Sequence, residues 1–480
     1  MREVTNAFCF PVFKINGIMS PSIKQLDRNL IIIVMGILVF CCAAGFSMTK
    51  VSPMVALMAA LCAVVFITSF IWPPIALYIL IISMLLSPEF GQRSTQGDGA
   101  TIRLDDLLLV IIGFSWFAKA AINKELGLFP TTPLNRGIVA YIIACFLSTV
   151  LGSVLGKVKI AGFMFVLKYI EYYIVFFMAI NCVQTKKQIK TFVTLLLITS
   201  AIISLYAIVQ IPTGERVSAP FEGDSGEPGT LGGYLVLILS VTIGIFLTSE
   251  SRQTKALLLG LMGINVISLM ATHSRATWIG LPFMYLCFII LSKKRLLLLG
   301  VLAILVVSSP LILPKSVKKR FMGTFVVEKG YEAELGGIGV PLDSSASERV
   351  ISWQRILNDY KHHPILGYGV TGYGFIDSQY FRTLVELGIV GLSIYIFLMY
   401  RIYRFLLYSH RIARDNFGKG LTMGILAGFT ALLVHAIGSN TFIIIRIMEP
   451  FWFLMGLVFV LYSIEKKGHE TLGNETLLIK

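Results

Sequence analysis

The chain has 480 residues, of which 56% are hydrophobic and only 14% charged, yet its formal net charge is +15. Soluble domains run about 45–50% apolar and about 25% charged, so there is too little polar surface here for a soluble basic protein such as a nucleic-acid binder. A disordered polycation would lack the apolar runs, which leaves an all-α polytopic membrane protein whose positive excess reflects topology or an anionic ligand.

Residues 1–28 carry Arg2, Lys14, Lys24 and Arg28 without a leading apolar stretch. They read as a cytoplasmic N-terminal segment, not a cleaved signal peptide. At about 20 apolar residues per span, eleven spans are predicted near 29–47, 52–71, 73–88, 104–122, 137–154, 160–181, 190–211, 230–248, 255–272, 276–292 and 295–313. They make a transmembrane bundle over 29–313. The third is short, and Pro73-Pro74 before it predicts a tight hairpin with the second. A long loop, 314–382, precedes three more spans near 383–400, 419–438 and 443–464, and residues 465–480 form a tail. The apolar runs are continuous, which excludes the alternation of a β-barrel.

Charge sets the expected orientation. With the N-terminus inside, 23 Lys and Arg fall on inner segments and 8 on short outer ones, the long loop holding 9 more. Long loops are exempt from the positive-inside rule. Both termini are therefore expected in the cytoplasm, with loop 314–382 outside. The seven cysteines fall in spans or on the inner side, so no disulfide framework is implied. No Cys/His spacing suggests a metal, and no cofactor motif stands out.

Ionisable groups inside a membrane need partners or a function. Lys168 and Glu171 sit three residues apart on one helical face, as do Arg446 and Glu449. Such spacing lets opposite charges meet. The two readings are mutual neutralisation and a polar cavity lined by both pairs.

The outer segments are denser. Thr213-Gly214-Glu215-Arg216 is followed by Glu227-Pro228-Gly229-Thr230-Leu231-Gly232-Gly233-Tyr234, a Gly/Pro-rich loop re-entering the membrane with one arginine among acids. The turn His273-Ser274-Arg275 puts Arg275 at the outer boundary, against the charge bias. In the long loop, Ser345 and Glu348 match a capping box. Val350, Ile351, Trp353, Leu357 and Tyr360 then form one apolar face beside Arg349 and Arg355. This predicts a helix lying on the membrane or lidding a cavity. His362 and His363 end it. Gly367-Tyr368-Gly369-Val370-Thr371-Gly372 fits GxGxxG but lacks a strand–turn–helix context, so a dinucleotide site is disfavoured. Its glycines would let the backbone approach a sugar or lipid head. Asp377-Ser378-Gln379-Tyr380 and Glu386 follow where the chain re-enters the membrane. A carboxylate there is a candidate general base or a helix N-cap.

Several of these stretches resemble the O-antigen polymerase and ligase superfamily of bacterial envelope glycosyltransferases. The residues are Ser274-Arg275 with Trp278 and Gly280, His363-Pro364-Ile365-Leu366-Gly367-Tyr368-Gly369, and Asp377 to Gly391 closed by Gly388 and Gly391. The likeness spans roughly 205–465. Ligases of the family carry a His where this chain has Asp377, and an aspartate there looks more like the polymerases. The resemblance implies an undecaprenyl-pyrophosphate-linked glycan as donor, a sugar hydroxyl as acceptor, the bacterial inner membrane as location, and a chain-length regulator protein as a further partner. It implies catalytic roles for Arg216 and Arg275 on the pyrophosphate and Asp377 as base, with Glu386 as its substitute. Arg349, His363, Gly367, Gly369, Tyr380, Lys168, Glu171 and Arg446 are the expected substrate-binding residues. A ligase acting on lipid A-core, a protein O-glycosyltransferase and a lipid-linked oligosaccharide flippase are the competing readings.

Overall fold

The computed structural model describes residues 53–90, 102–122, 129–222, 226–312, 344–374 and 376–478, with short pieces at 317–318, 322–323, 333–335 and 338–340. The expected segment 1–28 and the span at 29–47 lie outside the described residues. The chain divides between Val64 and Val65, and the packing below belongs to residues 65–480.

The described elements are overwhelmingly helical. They are α1 (Pro53–Ile71), α2 (Pro73–Leu86), α3 (Leu104–Ile122), α4 (Asn135–Val154), α5 (Ile160–Cys182), α6 (Lys186–Gln210), α7 (Pro228–Thr248), α8 (Arg252–Ala271), α9 (Arg275–Leu291), α10 (Arg295–Ile312), α11 (Ser344–Asp359), α12 (Gln379–Ile412), α13 (Asn416–His435) and α14 (Ile445–Leu478). Two short antiparallel pairs accompany them: β1 (Glu89–Phe90) with β2 (Ile102–Arg103), and β3 (Ala333–Leu335) with β4 (Ile338–Val340). The fold is that of an all-α polytopic membrane protein. Among the described residues, 8 helices are long and apolar enough to cross a membrane. Helices α2, α9 and part of α10 are apolar but shorter, and α3 carries Asp105, Asp106 and Lys119.

Local sequence explains the boundaries. Pro73 and Pro74 occupy the first turn of α2, where missing amides cost nothing. Trp72 alone separates α2 from α1 along the chain. Thr185 and Gln188 form a capping box on α6, so that helix starts four residues ahead of the apolar run.

The core of the bundle is α7 against α13. Small residues allow it: a side chain on Gly424 would meet the Ser240 carbonyl at 2.7 Å, and one on Gly428 would meet the Ser240 hydroxyl. Close backbone approach of this kind is how helices pack in lipid, where no hydrophobic drive separates them from their solvent. Helix α14 packs on α5 through Gly456, whose added side chain would lie 2.9 Å from the Phe176 carbonyl. Helices α8 and α10 are peripheral, and Leu257, Leu296 and Val307 lie 77%, 80% and 79% exposed.

Helix α12 is broken. Gly388 has φ 66° and ψ −170°, a conformation reserved for glycine. The loop 364–369 fills the break with backbone hydrogen bonds. Tyr368 and Gly369 amides donate to the Val385 and Glu386 carbonyls, and Ile389 and Val390 donate to Pro364 and Ile365. The far side of that loop rests on α4, where the Ser148 hydroxyl lies 2.6 Å from both the Leu366 and Glu386 carbonyls and shares its one proton between them.

Candidate functional site

The connections α4–α5, α6–α7, α8–α9 and α13–α14 meet α11 and the loop before α12 at one end of the bundle. Between them lies a cavity of about 760 Å³. Lys157, Lys159, Arg216, Arg275, Arg349 and Arg382 line it, against two acids, Glu227 and Asp377. The first residues of α5, α7 and α9 also contribute to its wall. Helix N-termini carry partial positive charge and unpaired amides, so backbone and side chains both favour an anion.

Each cation is positioned by a traceable contact. Arg216 donates from Nε to the Thr272 carbonyl at 3.1 Å, which ties the α6–α7 loop to the end of α8. Arg275 opens α9 directly after Ser274. His273, in the turn before it, has φ 49° and packs edge-on against Trp278. Arg349 reaches from α11 to Asp377, with Nη2 at 2.8 Å from Oδ2. Val350 and Ile356 anchor that helix in the protein, and Trp353 stacks on Phe381 of α12 at an interplanar angle of 12°. The helix expected from the sequence is present and borders the cavity through Arg349, but Ile351 and Leu357 of its expected apolar face are 37% and 47% exposed.

Asp377 is held by its neighbours. The Gln379 amide donates to the Ala436 carbonyl at 3.0 Å, and Gln379 Oε1 accepts from the Phe442 amide at 3.1 Å. Asn440 Nδ2 donates to the Ile376 carbonyl. The segment 376–379 is thus stitched to the α13–α14 connection. Tyr373 lines the cavity and donates to Asp359 Oδ2. Burial first, and Asp359 second, push its phenol up to about 12, so it is a donor near neutral pH.

The four residues expected to be catalytic divide. Arg216, Arg275 and Asp377 share the cavity, and Arg349 joins them. Glu386 stands behind it: 5% exposed, it accepts from Arg382 Nε at 3.1 Å and from the Thr371 amide at 3.0 Å. It holds Arg382 in the wall and lies beneath the surface a substrate would touch.

Most expected substrate contacts are placed elsewhere. Lys168 forms its ion pair with Asp106 of α3 at 3.0 Å, with Glu171 near enough to feel its charge. Arg446 pairs with Glu222 at 3.1 Å, not with Glu449, because its guanidinium points off α14 into the α6–α7 loop. His363 packs edge-on to Tyr368, and Tyr380 donates to the Leu433 carbonyl. Gly367 and Gly369 do permit close approach, but of other parts of the protein. A side chain on Gly367 would meet Val385 and Glu386, and one on Gly369 would meet Val158 and Ser148. None of Lys168, Glu171, His363, Gly367, Gly369, Tyr380 and Arg446 lines the cavity. Lys157, Lys159 and Arg382 do, and the sequence reading passed over them. The first two lie on a segment expected outside by the charge bias, the same signal that singled out Arg275. Among the described residues, no group of three His, Cys, Asp or Glu is arranged to hold a metal ion.

Residues 257–396 match the profile of the family described as O-antigen ligase. They form an O-antigen ligase family domain. The matched stretch runs from α8 into α12 and holds Arg275, Arg349 and Asp377 of the cavity wall, while Arg216, Lys157 and Lys159 come from the preceding part of the chain. The domain agrees with the resemblance to the O-antigen polymerase and ligase superfamily, and supports a function of that general type in a bacterial membrane protein. Comparison with curated proteins found no match.

Proposed function

We propose that the chain is an inner-membrane glycosyltransferase that polymerises undecaprenyl-pyrophosphate-linked oligosaccharide repeat units into O-antigen, capsular or exopolysaccharide on the extracytoplasmic face. The observation that carries this reading is the single cavity in which Arg216, Arg275 and Arg349 meet Asp377. In it the acceptor hydroxyl oxygen bonds to the anomeric carbon of the donor glycan and the bond to the diphosphate oxygen breaks. The hydroxyl proton goes to the Asp377 carboxylate, and the electron pair leaves with the lipid diphosphate. One displacement inverts the anomeric centre. Arginine suits the leaving group, because its planar fork binds phosphate oxygens bidentately and stays charged. Charges fixed in advance where the negative charge grows lower the barrier by several kcal/mol, by order of magnitude.

Val154 and Ile160, beside Lys157 and Lys159, are 79% and 77% exposed. They supply an apolar approach for a polyprenyl chain next to the cationic wall. The excess of Lys and Arg on the opposite loops supports an outward-facing cavity.

Transfer of finished glycan to lipid A-core is the second reading, favoured by the description of the matched family as O-antigen ligase. Asp377, standing where ligases carry His, favours polymerisation. Mass spectrometry of products made by the purified protein from lipid-linked repeats decides: multiples of the repeat on lipid diphosphate support polymerisation, and glycan on lipid A-core only would overturn it.

A further inference from the structure

Arg446 and Glu222 are the most deeply buried ion pair among the described residues, with side chains 0% and 1% exposed and Nη1 3.1 Å from Oε1. Neither lines the cavity. Burying two charges costs several kcal/mol per ion, by order of magnitude, and is recovered only by good geometry and further hydrogen bonds.

Most of those hydrogen bonds go to one loop, and Arg446 Nη2 also donates to the Ser87 carbonyl just past α2 at 3.4 Å. Arg446 Nη1 donates to the Pro220 carbonyl at 3.0 Å. Glu222 Oε2 accepts from the Ala219 amide at 3.1 Å and from the Glu227 amide at 2.9 Å. One carboxylate therefore closes the chain from 219 to 227. Phe221, between them, has φ 60°, a conformation that persists in a non-glycine residue only when its surroundings dictate it. Both flanks of the closed loop belong to the cavity. On one side Gln210 exchanges hydrogen bonds with Ser218, and the Val217 amide and Arg216 Nε donate to the Ala271 and Thr272 carbonyls. On the other, Glu227 accepts from Thr230 at 2.8 Å where α7 begins.

We propose that Arg446 and Glu222 are positioning residues: their buried ion pair sets the α6–α7 loop so that Arg216 faces the cavity, and the cavity's affinity for a lipid diphosphate depends on Glu222 being ionised. This rests on the function proposed above. The charged groups facing Glu222 are Arg446 from α14 and Glu227 from its own loop, with Asp105 of α3 near Arg446. Burial raises the Glu222 carboxyl to about 7, against the lowering effect of Arg446. The folded protein thus takes up a proton between about 4.5 and 7 that the unfolded chain does not. Stability contributed by this group is present at the acid end of that window and declines as pH rises. The ion pair runs the other way and is lost as pH falls. Acid therefore weakens binding without promoting unfolding through this residue.

The test measures binding of a short-chain isoprenyl diphosphate-linked sugar to the full chain in detergent, a diphosphate diester that does not titrate between pH 6 and 8. Glu222→Gln is expected to weaken binding about tenfold at pH 8, and Arg216→Ala by a similar factor. The double variant is expected to be no weaker than Arg216→Ala alone, since residues acting through one group are not additive. Wild-type affinity should fall from pH 8 to pH 6, and Glu222→Gln should be flat. Arg446→Lys, which keeps the charge, should retain part of the affinity and the pH limb. Unchanged affinity in Glu222→Gln, multiplicative losses in the double variant, or a flat wild-type profile would each overturn the proposal. If Glu222→Gln does not fold, the wild-type profile and Arg446→Lys still decide it. Turnover of lipid-linked repeats is assayed separately. Binding that behaves as expected without sugar transfer would refute the enzymatic reading and leave the positioning pair standing.

Discussion

Arg349 donates from both Nε and Nη2 to a single oxygen of Asp377, at 3.1 and 2.8 Å. The same guanidinium lines the cavity, so a diphosphate entering it competes with Asp377 for Arg349. In the proposed reaction that exchange turns a paired carboxylate into a base at the moment substrate arrives. General-base assistance contributes roughly 10²–10⁴-fold. Asp377→Asn keeps the shape and is expected to lose transfer activity by about that factor, measured as the initial rate with purified lipid-linked repeats. Near-normal turnover would make Asp377 a structural cap. Arg349→Lys keeps the charge but not the fork, and is expected to fall between wild type and Arg349→Ala.

Arg216 and Arg275 reach the cavity from different connections, one after α6 and one at the start of α9. Removing a single preorganised group that stabilises transition-state charge costs about 10²–10³-fold in kcat. Arg216→Ala and Arg275→Ala are each expected to lose transfer on that scale with thermal unfolding in detergent little changed. Retained polymer length in both variants would remove the arginines from the reaction.

The fold was legible because its signal is strong and local. Every apolar run expected after residue 50 coincides with a helix, since a membrane demands about 20 apolar residues with their backbone bonds satisfied internally. Arg216 and Arg275 were legible because arginines on segments expected outside stand out against the charge bias, Arg349 because it opens a capped helix in the long loop, and Asp377 because it precedes the re-entering helix in a stretch that resembles the family. What the sequence concealed is which partner a charge takes. Spacing of three along a helix suggested Lys168 with Glu171 and Arg446 with Glu449, yet the structure pairs them with Asp106 and Glu222, 62 and 224 residues distant in sequence. Helical periodicity reports faces, and carries nothing about which distant loop will fold against them. The glycines of the 367–372 motif misled for a related reason. Close approach was a correct inference, but what approaches is the protein itself: the broken backbone of α12 at Gly367, and Val158 and Ser148 at Gly369.

That break makes its own test. At φ 66° and ψ −170° Gly388 lies where other residues are strained, and an added side chain would collide with the Ile365 carbonyl. Strain of about 1–3 kcal/mol from the backbone alone is expected, before any displacement of the 364–369 loop. Gly388→Ala should lower the unfolding temperature and the yield of folded protein, whatever substrate is present. Gly300, with open space around it in a peripheral helix, serves as control, and Gly300→Ala should be neutral or slightly stabilising. Equal unfolding temperatures for the two variants would refute the structural role of Gly388.

Lysines separate binding from folding. Lys157 and Lys159 flank Val158, which is buried at 6% exposure, so the hairpin is anchored between two exposed cations that face the cavity. Lys168 instead pairs with Asp106 inside the bundle, the two side chains 16% and 13% exposed. Exposed charges act by attraction at a distance and are screened within about 8 Å at physiological salt. Replacing both Lys157 and Lys159 by Ala is therefore expected to raise KM for the lipid-linked substrate several-fold, with kcat nearly unchanged and the salt dependence of KM flattened. Lys168→Met is expected to do the reverse. It strands a buried carboxylate, a loss of about 3–5 kcal/mol for buried pairs, so the yield and unfolding temperature drop while the folded fraction turns over normally. Titrating salt against KM for the double variant, and melting Lys168→Met beside wild type, reads both. A KM that ignores Lys157 and Lys159 at low salt would take the α4–α5 hairpin out of substrate binding, and an unperturbed melting temperature in Lys168→Met would mean that the Asp106 pair contributes nothing to the fold.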